Sequence, residues 1–243
     1  MESIMKKLYV LIVGLLVLAP GCFVYGEIEL VKDGKPAADI VIGANAGIAA
    51  RWAALDLQEH LEKMTGAKLD VVSAPSDKFK NHVYVGASEA TKKLNFKPAV
   101  FTNSGFEIIA RDNYVILSGP DILRNASRFM GPDGRKLWHE FCGEPFNYGR
   151  GEEGMGGFNT GLQMFTNDDP GTWYAVAELL EQLGVRFYAP YDDGTVIPAK
   201  KNVAVADQHL KKEAAFARRE FCYYNAMRQD PEGIKWFKRI FIL

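Results

Sequence analysis

Metal-ligand spacing is absent from this sequence. Its three cysteines (Cys22, Cys142, Cys222) and four histidines (His60, His82, His139, His209) are scattered, with no Cys-x-x-Cys and no His-x-x-x-His. A structural metal site is therefore not expected, and neither is any cofactor. Charge of one sign is scarce as well: 29 Lys and Arg face 30 Asp and Glu, for a net charge of −1. That balance supplies neither the basic face that nucleic acid requires nor one suited to an anionic membrane. There is no Gly-x-Ser-x-Gly elbow for acyl chemistry. The dinucleotide-like pattern Gly149-Arg-Gly-Glu-Glu-Gly154 follows no strand and opens no helix, and its two glutamates would repel a pyrophosphate, so it reads as a loop.

Long apolar runs are missing except at the start. Lys6 and Lys7 precede an apolar stretch from Leu8 to Ala19, followed by the small residues of Pro20-Gly-Cys22 and Gly26. The stretch is shorter than the roughly 20 residues that span a bilayer, and the pattern is that of a secretory signal peptide over 1–26. Val24-Tyr25-Gly26 fits a cleavage rule that leaves a mature chain from Glu27, with a net charge of about −2. Cys22 offers the alternative of a lipoprotein anchor. A secreted or periplasmic location follows, with no transmembrane span in the mature chain. Cys142 and Cys222 then sit in an oxidising compartment, where they either pair or remain separate thiols.

What is present is alternating structure. Ile28–Val31 and Asp39–Gly43 read as strands around the turn Lys32-Asp-Gly-Lys35. Asn45 stands as N-cap of a helix whose apolar stripe is Ala50, Ala54, Leu57, Leu61 and Met64, ended by Gly66. Strands follow at Leu69–Val72 and His82–Gly86, then a short helix at Ala87–Lys93. Gly105–Ala110 and Tyr114–Ser118 form a hairpin across Asp112-Asn113. A second main helix carries Trp173, Val176, Ala177, Leu180 and Leu183 on one face, with Asp169-Pro170 at its start and Gly184 at its left-handed end. It leads into a strand at Val185–Tyr188. The expectation is an α+β fold over 27–206: a mixed, largely antiparallel sheet with two main helices packed on one face.

Between 119 and 168 glycines and aromatics replace periodicity, which reads as a long loop insertion. Trp138, Phe141, Phe146 and Tyr148 there have flat apolar faces suited either to stacking on sugar rings or to anchoring the loop. Carboxylate pairs that would serve glycoside hydrolysis have simpler roles: Asp168 and Asp169 as caps, Glu152 and Glu153 in the glycine loop, Glu178 and Glu181 on the solvent side of a helix. Past Asp207 the local code favours helix through Lys211–Arg218.

Three blocks carry a family likeness: Ala53-Ala-Leu-Asp-Leu-Gln-Glu-His-Leu-Glu-Lys-Met-Thr-Gly66, His82-Val-Tyr-Val-Gly86, and Gly171 through Pro198. In order and spacing they resemble the domain that precedes the catalytic barrel in family-67 alpha-glucuronidases and family-20 beta-hexosaminidases. Closest in kind are secreted bacterial proteins of unassigned activity that share it. The resemblance spans about residues 27 to 225, and it implies an extended run near Ala214, against the helical local code. It further implies that 207–243 is a linker and the truncated start of a barrel domain, the catalytic carboxylates belonging to the barrel that this chain lacks. It places Arg219 on the first barrel strand, where it would contact sugar hydroxyls, with Glu220 standing where that strand has glycine. The expected function is a secreted accessory domain of a polysaccharide-degrading enzyme, partnered by its barrel. The alternative is a stand-alone polysaccharide-binding module that uses the aromatics of 129–165, with Trp138 and Tyr148 as candidate contacts.

Overall fold

The computed structural model describes residues 26–122, 169–189 and 191–215, together with Gly233, Lys235, Trp236 and Arg239. In chain order the elements are β1 (Glu27–Lys32), β2 (Lys35–Pro36), β3 (Ala38–Ile42), α1 (Ile48–Thr65), β4 (Val71–Val72), β5 (Asn81–Val85), α2 (Glu89–Lys93), β6 (Gly105–Arg111), β7 (Tyr114–Ser118) and β8 (Asp121–Ile122). After 168 come β9 (Asp169–Pro170), α3 (Gly171–Gln182), β10 (Arg186–Phe187), a 3-10 turn at Asp192–Gly194, β11 (Thr195–Val196), β12 (Val203–Ala206) and β13 (Gln208–Glu213).

The fold is α+β, built on a six-stranded sheet ordered β13-β6-β7-β5-β3-β4. The sheet is mixed: β4, β3, β5 and β7 run parallel, and β6 pairs antiparallel with both β7 and β13. Smaller antiparallel ladders join β12-β1-β2, β10-β11 and β8-β9. Helix α1 makes the crossover that parallel neighbours β3 and β4 require.

Side chains alternate across the sheet because successive residues of a strand point to opposite faces. Ile40, Val83, Val85, Phe106, Ile108, Val115 and Leu117 enter the main core with both long helices. Val41, Tyr84, Ile109, Tyr114 and Ile116 occupy the other face, covered by Phe96 and by Ala90 and Leu94 from the α2 region. The two main helices therefore share one face, as the sequence pattern indicates. The α1 stripe of Ala50, Ala54, Leu57, Leu61 and Met64 is buried throughout, and so is that of α3. Helix α3 is apolar nearly all round because it lies between the sheet and α1.

Its start is set by close backbone approach. A Cβ on Gly119 would lie 2.5 Å from the carbonyl carbon of Gly171, and one on Gly171 would lie 2.7 Å from the Gly105 oxygen. Only glycine fits either place. At the other end Gly184 takes φ 99°, and Gly66 takes φ 76° at the end of α1, both in the left-handed region expected of them.

Three expectations need correction. Asn45 does not cap α1: Ala46 N–H donates to the Gly43 oxygen at 2.9 Å, and the helix starts later, with Gly47 as an N-cap that lends no side chain. Asp169 does not cap α3 either. Pro170 holds the N-cap position, Asp169 is drawn into the short ladder with β8, and the Thr172 N–H is accepted by Asp121 Oδ1 at 2.9 Å from a distant part of the chain. Finally, the helix favoured locally beyond Lys211 is not formed up to Glu213. Residues Gln208–Glu213 pair with β6 along their whole length, from Gln208↔Ala110 to Glu213↔Gly105, so the sheet continues past residue 206. A full ladder of backbone hydrogen bonds outweighs a helix propensity of tenths of a kcal/mol per residue.

Leu180 is fully buried where α3 meets the core. Leu180→Ala is expected to cost about 2–5 kcal/mol, read as a lowered urea midpoint; an unchanged midpoint would contradict the packing of α3.

Candidate functional site

Helix α1 buries more than its apolar stripe. Trp52, Asp56 and His60 recur every four residues and so form one row along the helix, and both Asp56 and His60 are buried. A carboxylate taken out of water is tolerated only when charge and hydrogen bonds replace the lost solvation. Asp56 receives both. Trp173 Nε1 of α3 donates to its Oδ2 at 2.8 Å. Arg239 Nε donates to the same oxygen at 3.0 Å, and Arg239 Nη2 pairs closely with Oδ1. His60 Nδ1 donates to the Asp56 backbone oxygen at 2.8 Å and lies 3.3 Å from Oδ1.

Phe187 of β10 closes the site. Its ring meets His60 edge-on with centroids 5.4 Å apart, and the Arg239 guanidinium carbon lies 5.0 Å from its centroid. Nearby, Trp236 Nε1 donates to the Phe187 oxygen at 3.1 Å and Lys235 Nζ lies 5.5 Å from the Trp52 ring. Lys63 of α1 pairs with Asp192 at 2.9 Å and so ties the turn after β10 to the same helix. Burial alone would raise the pKa of Asp56. The Arg239 charge, with the hydrogen bonds from His60 and Arg239, overrides it and holds the carboxyl far below the usual range.

Both carboxylate oxygens of Asp56 are occupied by donors on neighbouring elements. This is an ionised group held for binding rather than for proton transfer, and among the described residues no cluster of His, Cys, Asp or Glu could hold a metal ion. A second buried carboxylate, Asp39 of β3, accepts from Ser76 N at 2.9 Å, Ser76 Oγ at 2.7 Å and His82 Nδ1 at 2.6 Å. The residue types suggest a nucleophilic triad, but the geometry does not. Ser76 and His82 both bind the carboxylate, whereas a triad requires serine bonded to histidine. Asp39 instead clamps the loop before β5 to the sheet. Glu107 in β6 is also buried, and accepts the Ala99 N–H at 2.7 Å.

Arg219, Trp138 and Tyr148, the sugar-contact candidates, lie outside the described residues, as do the possible disulfide partners Cys142 and Cys222, the anchor candidate Cys22, and Glu152, Glu153 and Asp168. Glu178 is less exposed than a solvent-side residue, because β13 brings Lys212 Nζ to 2.7 Å from its carboxylate. The sequence reading missed Asp56 and His60. Their local trace is a charged residue and a histidine four apart beside Leu57 and Leu61 of the buried stripe, a pattern that ordinary polar helix positions share.

No family model matches the chain, and no curated protein matches it. Among solved structures, the chain is similar to a family GH115 4-O-methyl-alpha-glucuronidase with specificity for decorated arabinogalactans. Identity is 12% and the TM-score 0.47. The match covers 76% of this chain and 18% of that one. The chain thus spans a small part of that enzyme's length. Among the described residues no helix is long and apolar enough to cross a membrane.

Removing Asp56 strands three buried donors. Asp56→Ala is expected to lose about 3–5 kcal/mol in urea unfolding at pH 7, and Asp56→Asn, which keeps the shape and an acceptor oxygen, less. The sign with pH follows from the lowered pKa. The contribution of Asp56 is full above the unfolded carboxyl range near ~3.9 and is lost as pH falls towards the folded value. The stability gap between the parent chain and Asp56→Asn should therefore narrow below about pH 4, and a gap that widened there would contradict the assignment.

Proposed function

We propose that this chain is an exported accessory domain of a carbohydrate-active enzyme of the alpha-glucuronidase or hexosaminidase type, whose role is to steady a catalytic barrel rather than to perform the reaction. The observation that carries this reading is the docking of Lys235, Trp236 and Arg239 on the face made by α1 and β10. A domain that grips the chain leaving it, through a buried charge pair, fixes the orientation of what that chain leads to. A flexible linker would not, since inter-domain motion is the default where few contacts cross. The resemblance over Ala53–Gly66, His82–Gly86 and Gly171–Pro198 supports the family, and the α+β fold with two helices on one face agrees with it.

The chemistry of the described carboxylates supports the non-catalytic part. Glycoside hydrolysis uses two carboxyl groups that face each other across the bond to be broken. Asp39, Asp56 and Glu107 belong instead to three separate hydrogen-bond sets, each satisfied by its own neighbours.

The purified chain is accordingly expected to leave aryl glucuronides and aryl N-acetylhexosaminides unhydrolysed above the buffer rate. Turnover that survived repurification and disappeared on changing a single carboxylate would replace the accessory reading with that of a hydrolase.

A further inference from the structure

The surroundings of Asp56 are more selective than a generic acidic spot. Its carboxylate is oriented by Trp173, which is fully buried in the main core on α3, and by the α1 backbone through His60. Neither depends on the C-terminal segment for its place in the fold. The two oxygens so fixed accept a forked pair of donors, Nε and Nη2 of Arg239. A planar guanidinium matches that fork; an ammonium is a point charge that cannot fill both directions at once. Phe187 presents its ring to the same group at 5.0 Å, the stacking a guanidinium favours.

We propose that Asp56, Trp173, His60 and Phe187 form a guanidinium-selective socket, and that Arg239 is the anchor by which Lys235, Trp236 and Arg239 dock on the domain. Two further described residues lie beside it, and Trp236 also packs against the main core. Lys235 and Trp236 precede Arg239 by four and three residues, placing all three on one side of a helical turn. Lys235 meets Trp52, which is half-buried, and Trp236 binds a backbone oxygen that offers no discrimination between side chains. Selectivity resides in the arginine. With Arg239 removed, Asp56 is a buried charge short of its main counter-ion, and any small guanidinium ion that fits relieves it.

The test uses the full chain. Arg239→Ala should melt several degrees below the parent. Ethylguanidinium should raise its melting temperature saturably and shift the Trp173 indole N–H resonance towards its position in the parent, whereas ethylammonium at equal concentration should do neither. Asp56→Asn/Arg239→Ala should not respond. An equal response to both cations, or none to ethylguanidinium, would overturn the socket. Should Arg239→Ala fail to fold, Arg239→Lys takes its place. It keeps the charge, yet the socket requires faster proteolysis near residues 233–239 and recovery of protection with ethylguanidinium. A lysine chain as protected as the parent would equally overturn the proposal. This inference stands apart from the accessory role: failed rescue leaves that role untouched, and turnover of an aryl glycoside leaves the socket untouched.

Discussion

A negative charge buried between two helices can persist only while its counter-charge stays with it. Asp56 sets that condition for this fold. It stands on α1, takes a hydrogen bond from Trp173 of α3, and pairs with Arg239, so the two long helices and the C-terminal segment meet at one carboxylate. The apolar core holds the helices on the sheet by non-directional burial, which tolerates small shifts. The ion cluster adds direction: Trp173 must present its N–H, and the arginine must enter edge-on. Buried ion pairs contribute little net stability compared with apolar substitutes but cost much when half is removed. The proposed effect of this pair is to specify which segment lies on the α1 face.

The same economy appears elsewhere in the fold. Asp121 caps α3 from β8, Asp39 clamps the loop before β5, and Glu213 accepts the backbone N–H groups of Thr102 and Asn103 at 2.5 and 2.6 Å. In each case a carboxylate ties a loop or helix end to a strand. These described acidic residues act as joints between elements.

Much of this architecture was legible in the sequence. The α1 and α3 stripes show because helical burial repeats every 3.6 residues, and Gly66 and Gly184 mark helix ends because their φ values exclude most side chains. The Asp33-Gly34 turn and the Asp112-Asn113 hairpin show by their turn residues, with Asp33 and Asp112 at φ 50° and 54°. What escaped was whatever depends on a distant partner. The cap of α3 comes from 51 residues away in sequence, and β13 is a strand only because β6 supplies its hydrogen bonds. Asp56 was invisible as a site because its donors lie 117 and 183 residues along the chain. No local pattern distinguishes such a residue from an ordinary polar member of a helix.

The most direct measurement is the pH titration of the Asp56 side-chain carboxyl carbon by NMR in the full chain. The account predicts a resonance that stays at its ionised position while its neighbours titrate, and that moves only when the protein unfolds in acid. A titration centred in the ordinary carboxyl range, near ~3.9, with the fold intact would contradict it, because an Asp56 that protonates freely is not held by Arg239.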